Sequence, residues 1–186
     1  MNSKKYIFGY GSLISKKSII HTIGKDPGEL FQVELQGWIR DWSVVLDNTT
    51  TIRRFELLPG HTVPRYVAAL NIRKSKNDEL ASNPNGVVFE VTDADLKKMD
   101  EREDHYARKD VTNDIVGISK DGIKIYAYVG KEEFCAQEYD EREVIVPQSY
   151  LSLVETNFTK KELAKFRATT LSTHYPILPT VHSSGM

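Results

Sequence analysis

Apolar and polar positions alternate with a period of two in five stretches of this chain, which predicts strands with two distinct faces. The stretches are Tyr6-Phe8-Tyr10, Phe31-Val33-Leu35, Tyr66-Ala68-Leu70-Ile72, Val87-Phe89-Val91 and Ile123-Ile125-Ala127-Val129. Gly37 marks a bend or bulge before Trp38-Ile39-Arg40-Asp41-Trp42, and Val44-Val45-Leu46 continues that segment. Val111–Ile118 is a further strand-like run, joined to the one at Ile123 through Asp121-Gly122, a pair that favours a hairpin. Val144-Ile145-Val146 reads as the last strand, stopped by Pro147.

Helical spacing takes over elsewhere. Ser15 to His21 predicts a helical turn. Thr92 followed by Asp95 has the form of a helix start: a hydroxyl meets a free N–H and an acid sits at the positive end. Along that helix Leu96, Met99 and Glu103 share a face, with Glu103 about 20° from Leu96 in projection. Lys97, Lys98, Glu101 and Arg102 are expected to point sideways or outward. After Pro147, the residues Tyr150, Leu151, Val154 and Phe158 are spaced for another helix. Thr159 and Glu162 form a second capping box, opening a helix that continues through Leu163, Phe166 and Thr170 and ends near Leu171. Residues 47–64 and 74–85 are rich in loop formers, with a short strand around Ile52 within the first. One domain over residues 1–172, followed by an extended or disordered tail over 173–186, fits this sequence of elements.

Charge narrows the partners. With 25 basic against 26 acidic residues and a net charge of −1, nothing favours nucleic acid or an acidic membrane surface, and small neutral or zwitterionic ligands fit better. No apolar run approaches the roughly 20 residues of a bilayer span, so no membrane partner is expected. A lone cysteine, Cys135, and an N-terminus without a signal-peptide core suggest a cytoplasmic setting. The sequence carries no signal of oligomeric state.

Two features bear chemistry. Gly9-Tyr10-Gly11-Ser12 is a strand running into a turn whose backbone can approach a ligand oxygen closely; on its own such a turn is more often mere punctuation. The other is Glu103, a carboxylate in an apolar stripe. Either it pairs with Arg102, Arg108 or a backbone N–H as a structural acid, or it is a general base whose desolvation favours proton uptake. Cys135 lies in no nucleophile motif and is expected to be a small buried hydrophobe. His21, His61, His105, His174 and His182 show no metal-ligand spacing. Tyr126 and Tyr128 share the second face of their strand, where lining a pocket is one reading and core or barrel packing is the expected role.

Together, Phe8-Gly9-Tyr10-Gly11-Ser12-Leu13 and Met99-Asp100-Glu101-Arg102-Glu103-Asp104-His105-Tyr106, about ninety residues apart, resemble the γ-glutamylcyclotransferase superfamily. Asn85-Gly86-Val87-Val88-Phe89, Gly37-Trp38-Ile39-Arg40 and Pro147-Gln148-Ser149-Tyr150 are similar to further landmarks of that family, so the resemblance runs over roughly residues 6 to 158. It implies an α+β fold: a small mixed, mostly antiparallel β-barrel with a few flanking helices. It implies that Glu103 is the catalytic acid/base, that Tyr10, Gly11, Ser12 and Leu13 hold the γ-glutamyl group, and that Tyr106 and Tyr150 stand near the substrate. The implied reaction is attack of a γ-glutamyl α-amine on its own γ-carbonyl, giving 5-oxoproline and a released amine with no metal or organic cofactor. Where family members commonly carry glycine after the acid, this chain has Asp104 and His105. Leu13-Ile14 and the Arg102-Glu103 pair lean towards the glutathione-acting, ChaC-like subgroup. A γ-glutamylamine cyclotransferase and a non-catalytic binder of small zwitterions are the alternatives.

Overall fold

A computed structural model describes residues 3–50, 53–76, 79, 81–135 and 139–184. Its centre is β1 (Lys4–Gly9), which lies between two strands distant in sequence. On one side it pairs antiparallel with β6 (Asn85–Val91), and on the other parallel with β9 (Ile123–Gly130). β2 (Phe31–Leu35) and the short β8 (Ile115–Val116) extend the sheet beyond β6, while β7 (Tyr106–Asp110) closes it beyond β9. A second sheet runs in the order β11 (Ile177–Leu178), β10 (Val144–Pro147), β5 (Tyr66–Lys74) and β3 (Trp38–Asp47).

The period-two pattern explains why the sheets face each other. Phe8, Leu35, Ile72, Val88, Ile125 and Val146 meet from both sheets in one core. The opposite face of the first sheet presents Ile7, Phe89 and Tyr128 to Ile19 and Ile23 of α1 (Lys16–Ile23) and to Leu96 and Met99 of α2 (Asp93–Arg102). Each of these fully buried large side chains contributes roughly 1.5–3 kcal/mol relative to exposure. The fold is therefore α+β, a half-barrel of curled, mostly antiparallel sheets with helices alongside. α4 (Gln148–Glu155) and α5 (Lys160–Thr169) complete the larger core through Val154 and Phe166.

Both predicted capping boxes form: Thr92 and Asp95 bond reciprocally at the start of α2, as Thr159 and Glu162 do at α5. The segment at Ser15–His21 is more than a turn. Ser15 caps it and Gly24, with φ of +79°, ends it, while the Lys98 ammonium of α2 takes the free carbonyl of Ile23 at 2.8 Å. Gly37 turns the chain between β2 and β3 with φ of +78°, and the bulge falls later, between Asp41 and Val44.

The Asp121-Gly122 hairpin does not form as expected. Asp110 accepts bonds from the Thr112 backbone and hydroxyl, winding Thr112–Asp114 into a 3-10 turn. Only Ile115–Val116 remains extended, and it pairs with β2 instead of β9. β9 has apolar groups on both faces and takes an interior place between β7 and β1.

Nor is Val144–Val146 the last strand. In the 47–64 excursion, β4 (Arg53–Leu57) pairs antiparallel with β12 (Thr180–Ser184) of the tail. The tail is thus extended and held in a ladder, with Thr180 also bonded to Ser149 of α4 at 2.7 Å. The strand expected around Ile52 begins at Arg53, and Ile52 itself lies outside the described residues. Among the described residues no helix is long and apolar enough to cross a membrane.

Candidate active site

At the end of β1 the chain leaves the sheet as Gly9-Tyr10-Gly11 and winds into a 3-10 turn over Ser12–Ile14. The glycines permit two close approaches. A Cβ on Gly9 would stand 2.5 Å from the Leu13 carbonyl oxygen, so the turn folds back over the strand end only with glycine there. A Cβ on Gly11 would stand 2.9 Å from the Tyr150 hydroxyl. The turn's own bonds run from Ile14 N–H to Gly11 O and from Ser15 N–H to Ser12 O, leaving its first amides ahead of that ladder.

A cleft of about 330 Å³, counting the space open to solvent, lies over this turn. Tyr10, Gly11, Ser12, Leu13, Glu103, Tyr106 and Tyr150 all line it. The structure thus brings together the seven residues that the family resemblance assigned to the site, from the turn after β1, the end of α2, β7 and α4. Phe8, Gly9, Leu70 and Tyr128 complete the lining. Leu70 was missed as a pocket residue; Tyr128, for which packing ranked above a pocket role, lines the cleft, and its hydroxyl bonds Asp100 at 2.9 Å.

Glu103 reaches the cleft differently from the helical-stripe argument. α2 ends at Arg102, and Glu103 is its C-cap, with φ of −97° and ψ of 41°. Its side chain is only 15% exposed. Arg102 is not the surface charge expected to point sideways or outward: its side chain is 6% exposed and lies 3.1 Å, through Nε, from Glu103 Oε1, the pairing that the structural reading of Glu103 named. The same guanidinium donates to Ser12 Oγ at 3.0 Å, to Thr22 Oγ1 at 2.9 Å and to the Ser18 carbonyl at 3.3 Å. Helical projection misplaced Arg102 because α1 packs against this end of α2 and supplies polar partners for it. Both readings of Glu103 therefore meet in one geometry: the acid is ion-paired and it also faces the cleft.

The tyrosines are held as neutral groups. Tyr10 donates to the Tyr128 carbonyl at 2.6 Å and Tyr106 to the Leu70 carbonyl at 3.0 Å. Burial pushes the hydroxyls of Tyr10, Tyr106 and Tyr150 well above the usual tyrosine range, and the Glu103 charge adds to this in each case. Cys135, expected to be a small buried hydrophobe, is half-buried at the end of a short helix (Glu132–Cys135) beside Asn71 Nδ2 at 3.5 Å. Burial raises its thiol above the ordinary value, which disfavours a thiolate nucleophile.

Beneath the turn lies a residue that the family landmarks touched but to which no role was assigned. Arg40 of β3 is fully buried and donates to the Tyr10 carbonyl at 3.3 Å. It shares a strand face with Trp38 and Trp42, and a basic residue alternating with two tryptophans was a readable signal that its charge is directed inward.

The sequence model of a family described as gamma-glutamyl cyclotransferase, AIG2-like, matches residues 7–152, a span that contains both motifs and the whole cleft lining. The chain belongs to that family. Solved structures agree on the fold. A yeast gamma-glutamyl cyclotransferase described as specific to glutathione superimposes with a TM-score of 0.54 at 14% identity, covering 94% of this chain and 100% of that one. Another gamma-glutamyl cyclotransferase gives 0.52 at 15% identity over 94% of this chain and 93% of that chain. An uncharacterized human protein gives 0.51 at 16% identity, over 94% and 92%. No curated protein sequence matches the chain.

Proposed function

We propose that this chain is a γ-glutamylcyclotransferase that converts a γ-glutamyl compound into 5-oxoproline and a free amine or amino acid. The observation that supports this most directly is that the Glu103 carboxylate and the Gly11-Ser12-Leu13 turn line one cleft, in a chain of this family. The substrate's α-nitrogen enters as an ammonium and must lose a proton to attack. Glu103 takes that proton, the nitrogen bonds to the γ-carbonyl carbon, and a five-membered ring closes. The old amide C–N bond then breaks as Glu103 hands the proton to the departing nitrogen, and the ring nitrogen gives up its second proton, which leaves with the amine as an ammonium, so the carboxylate is regenerated. The carbonyl oxygen is negatively charged in between, and amides at the start of the turn are the donors suited to it. The cleft's work is also to fold the substrate onto itself, since an intramolecular attack gains only when amine and carbonyl are held in contact. Ser12 is a binding residue here, with its hydroxyl engaged by Arg102, and Tyr10, Tyr106 and Tyr150 form rigid neutral walls.

Glutathione is the first substrate to try, because the yeast relative in the same fold is described as specific to it and Arg102-Glu103 leans the same way. γ-Glutamyl amino acids and γ-glutamylamines form the rest of the panel. A second reading draws on the Arg102–Glu103 ion pair, which a non-catalytic binder of small zwitterions would also tolerate. Incubation with the panel, with 5-oxoproline measured by mass spectrometry, separates the two. Product from at least one compound is expected; binding without product from any of them favours the binder.

A further inference from the structure

Arg40 is buried to 0% exposure, and among the described residues its acceptors are neutral. Nη1 donates to the carbonyls of Tyr10 at 3.3 Å and Asn85 at 2.7 Å. Nη2 donates to Asn85 Oδ1 at 3.0 Å, Thr169 Oγ1 at 3.1 Å and the Phe166 carbonyl at 3.2 Å, and Nε donates to Thr170 Oγ1 at 2.8 Å. The Phe166 ring lies 4.2 Å from the guanidinium carbon. Among the described residues no carboxylate pairs with it. Burial of an ion without a counter-ion is costly. These bonds tie β3 to the Tyr10 turn, to Asn85 and to α5, and they do so with a group whose charge none of its acceptors cancels.

We infer that Arg40 is a fixed positive charge stationed beneath the Tyr10–Leu13 turn, where it positions the turn's first peptide and stabilises negative charge in the cleft above. The positioning follows from peptide geometry. In a trans peptide the C=O and N–H point in opposite directions, so holding the Tyr10 oxygen towards Arg40 turns the Gly11 N–H away from it. Gly11 lines the cleft and Arg40 does not. The field reaches the same place: the Tyr150 hydroxyl, raised by burial, is lowered by the Leu70 bond and by Arg102 and, in addition, by Arg40, and a Cβ on Gly11 would stand 2.9 Å from that hydroxyl. Although burial lowers the Arg40 guanidinium to about 9, it keeps its proton at neutral pH. A preorganised charge of this kind costs no reorganisation when the oxyanion forms. The identity of that oxyanion rests on the cyclotransferase reading, whereas the charge and its reach do not.

Asn85→Asp tests this without shortening a side chain. It sets a carboxylate against Nη2 where the amide oxygen now stands 3.0 Å away, cancelling the charge at the expense of the Asn85 bond to the Glu162 carbonyl. Three quantities are read: the thermal midpoint, the affinity for 5-oxoproline (an anion at neutral pH) by calorimetry, and the rate of 5-oxoproline release. A folded variant with binding and turnover each lowered on the order of tenfold is expected, and Arg40→Lys, which keeps the charge, is expected to retain more of both than Arg40→Met. Wild-type binding and turnover in folded Asn85→Asp overturn the inference. So do equal losses in the Lys and Met variants, and that pair decides the matter if Asn85→Asp does not fold. If wild-type protein binds 5-oxoproline in this charge-dependent way but forms none, the cyclotransferase reading falls and the inference stands. A wild-type protein that neither binds nor forms it overturns both.

Discussion

The Tyr10–Leu13 turn is held from two sides by buried guanidinium groups with opposite kinds of partner. On the α1–α2 side, Arg102 meets a carboxylate, Glu103, at 3.1 Å and reaches the turn through Ser12 Oγ. On the β3–α5 side, Arg40 has, among the described residues, only carbonyl, amide and hydroxyl oxygens and reaches the turn through the Tyr10 carbonyl. An ion pair fixes geometry while its charges cancel; a cation among neutral acceptors fixes geometry and leaves its field in place. On the proposed reading, the side bearing the acid supplies a proton acceptor whose orientation is set, and the other side supplies potential.

Replacing the acid breaks the first half of this arrangement most severely. Glu103→Gln is expected to lower turnover on the order of 10²–10⁴-fold and to lower the melting temperature as well, since it leaves the buried Arg102 guanidinium without its carboxylate. Continued 5-oxoproline formation at the wild-type rate would remove Glu103 from the mechanism. Arg102→Gln strips both Glu103 and Ser12 of a partner, and it also severs the bonds to Ser18 and Thr22 of α1. Loss of a buried ion pair costs roughly 3–5 kcal/mol, so urea denaturation should show a large drop in stability alongside reduced turnover. A variant as stable as wild type would mean that Arg102 does not tie the two helices.

Smaller effects sharpen the contrast. Gly11→Ala places a methyl 2.9 Å from the Tyr150 hydroxyl, and a kcat/KM loss of about tenfold is expected. Adding Tyr150→Phe removes the clashing oxygen and should recover part of that loss in a double-mutant cycle; strictly additive losses would place the cause elsewhere. Smallest is Thr92→Ala, which removes the N-terminal cap of α2 far from the cleft. About 1 kcal/mol of stability should go, read from the urea midpoint, with steady-state turnover unchanged.

What was legible in the sequence follows from how local each signal is. The capping boxes at Thr92 and Thr159 could be read because each is complete within four residues. Strand faces were legible for the same reason, and of the seven proposed site residues in the cleft six lie in the two motifs and Tyr150 in the Pro147–Tyr150 landmark. Partnership was not legible. Asp121-Gly122 has the chemistry of a hairpin turn, yet β9 is claimed by β7 and β1, whose pairing no local pattern records. Arg102 falls outward in a projection of α2 alone and inward once α1 is present. The tail's alternation is short and weak, and its strand exists because β4 offers an edge.

The position of β1 in its sheet carries a consequence for the making of the protein. Ile7 is in register with Phe89 on one side and Tyr126 on the other, so during translation the first strand leaves the ribosome long before either neighbour has been synthesised. Its apolar residues must stay unpaired until the chain has grown past β6, and the parallel partner comes later still. Such long-range closure slows folding and prolongs the exposure of a sticky segment. The strand that ends in the proposed substrate turn is therefore also the stretch on which a nascent chain would most need a chaperone.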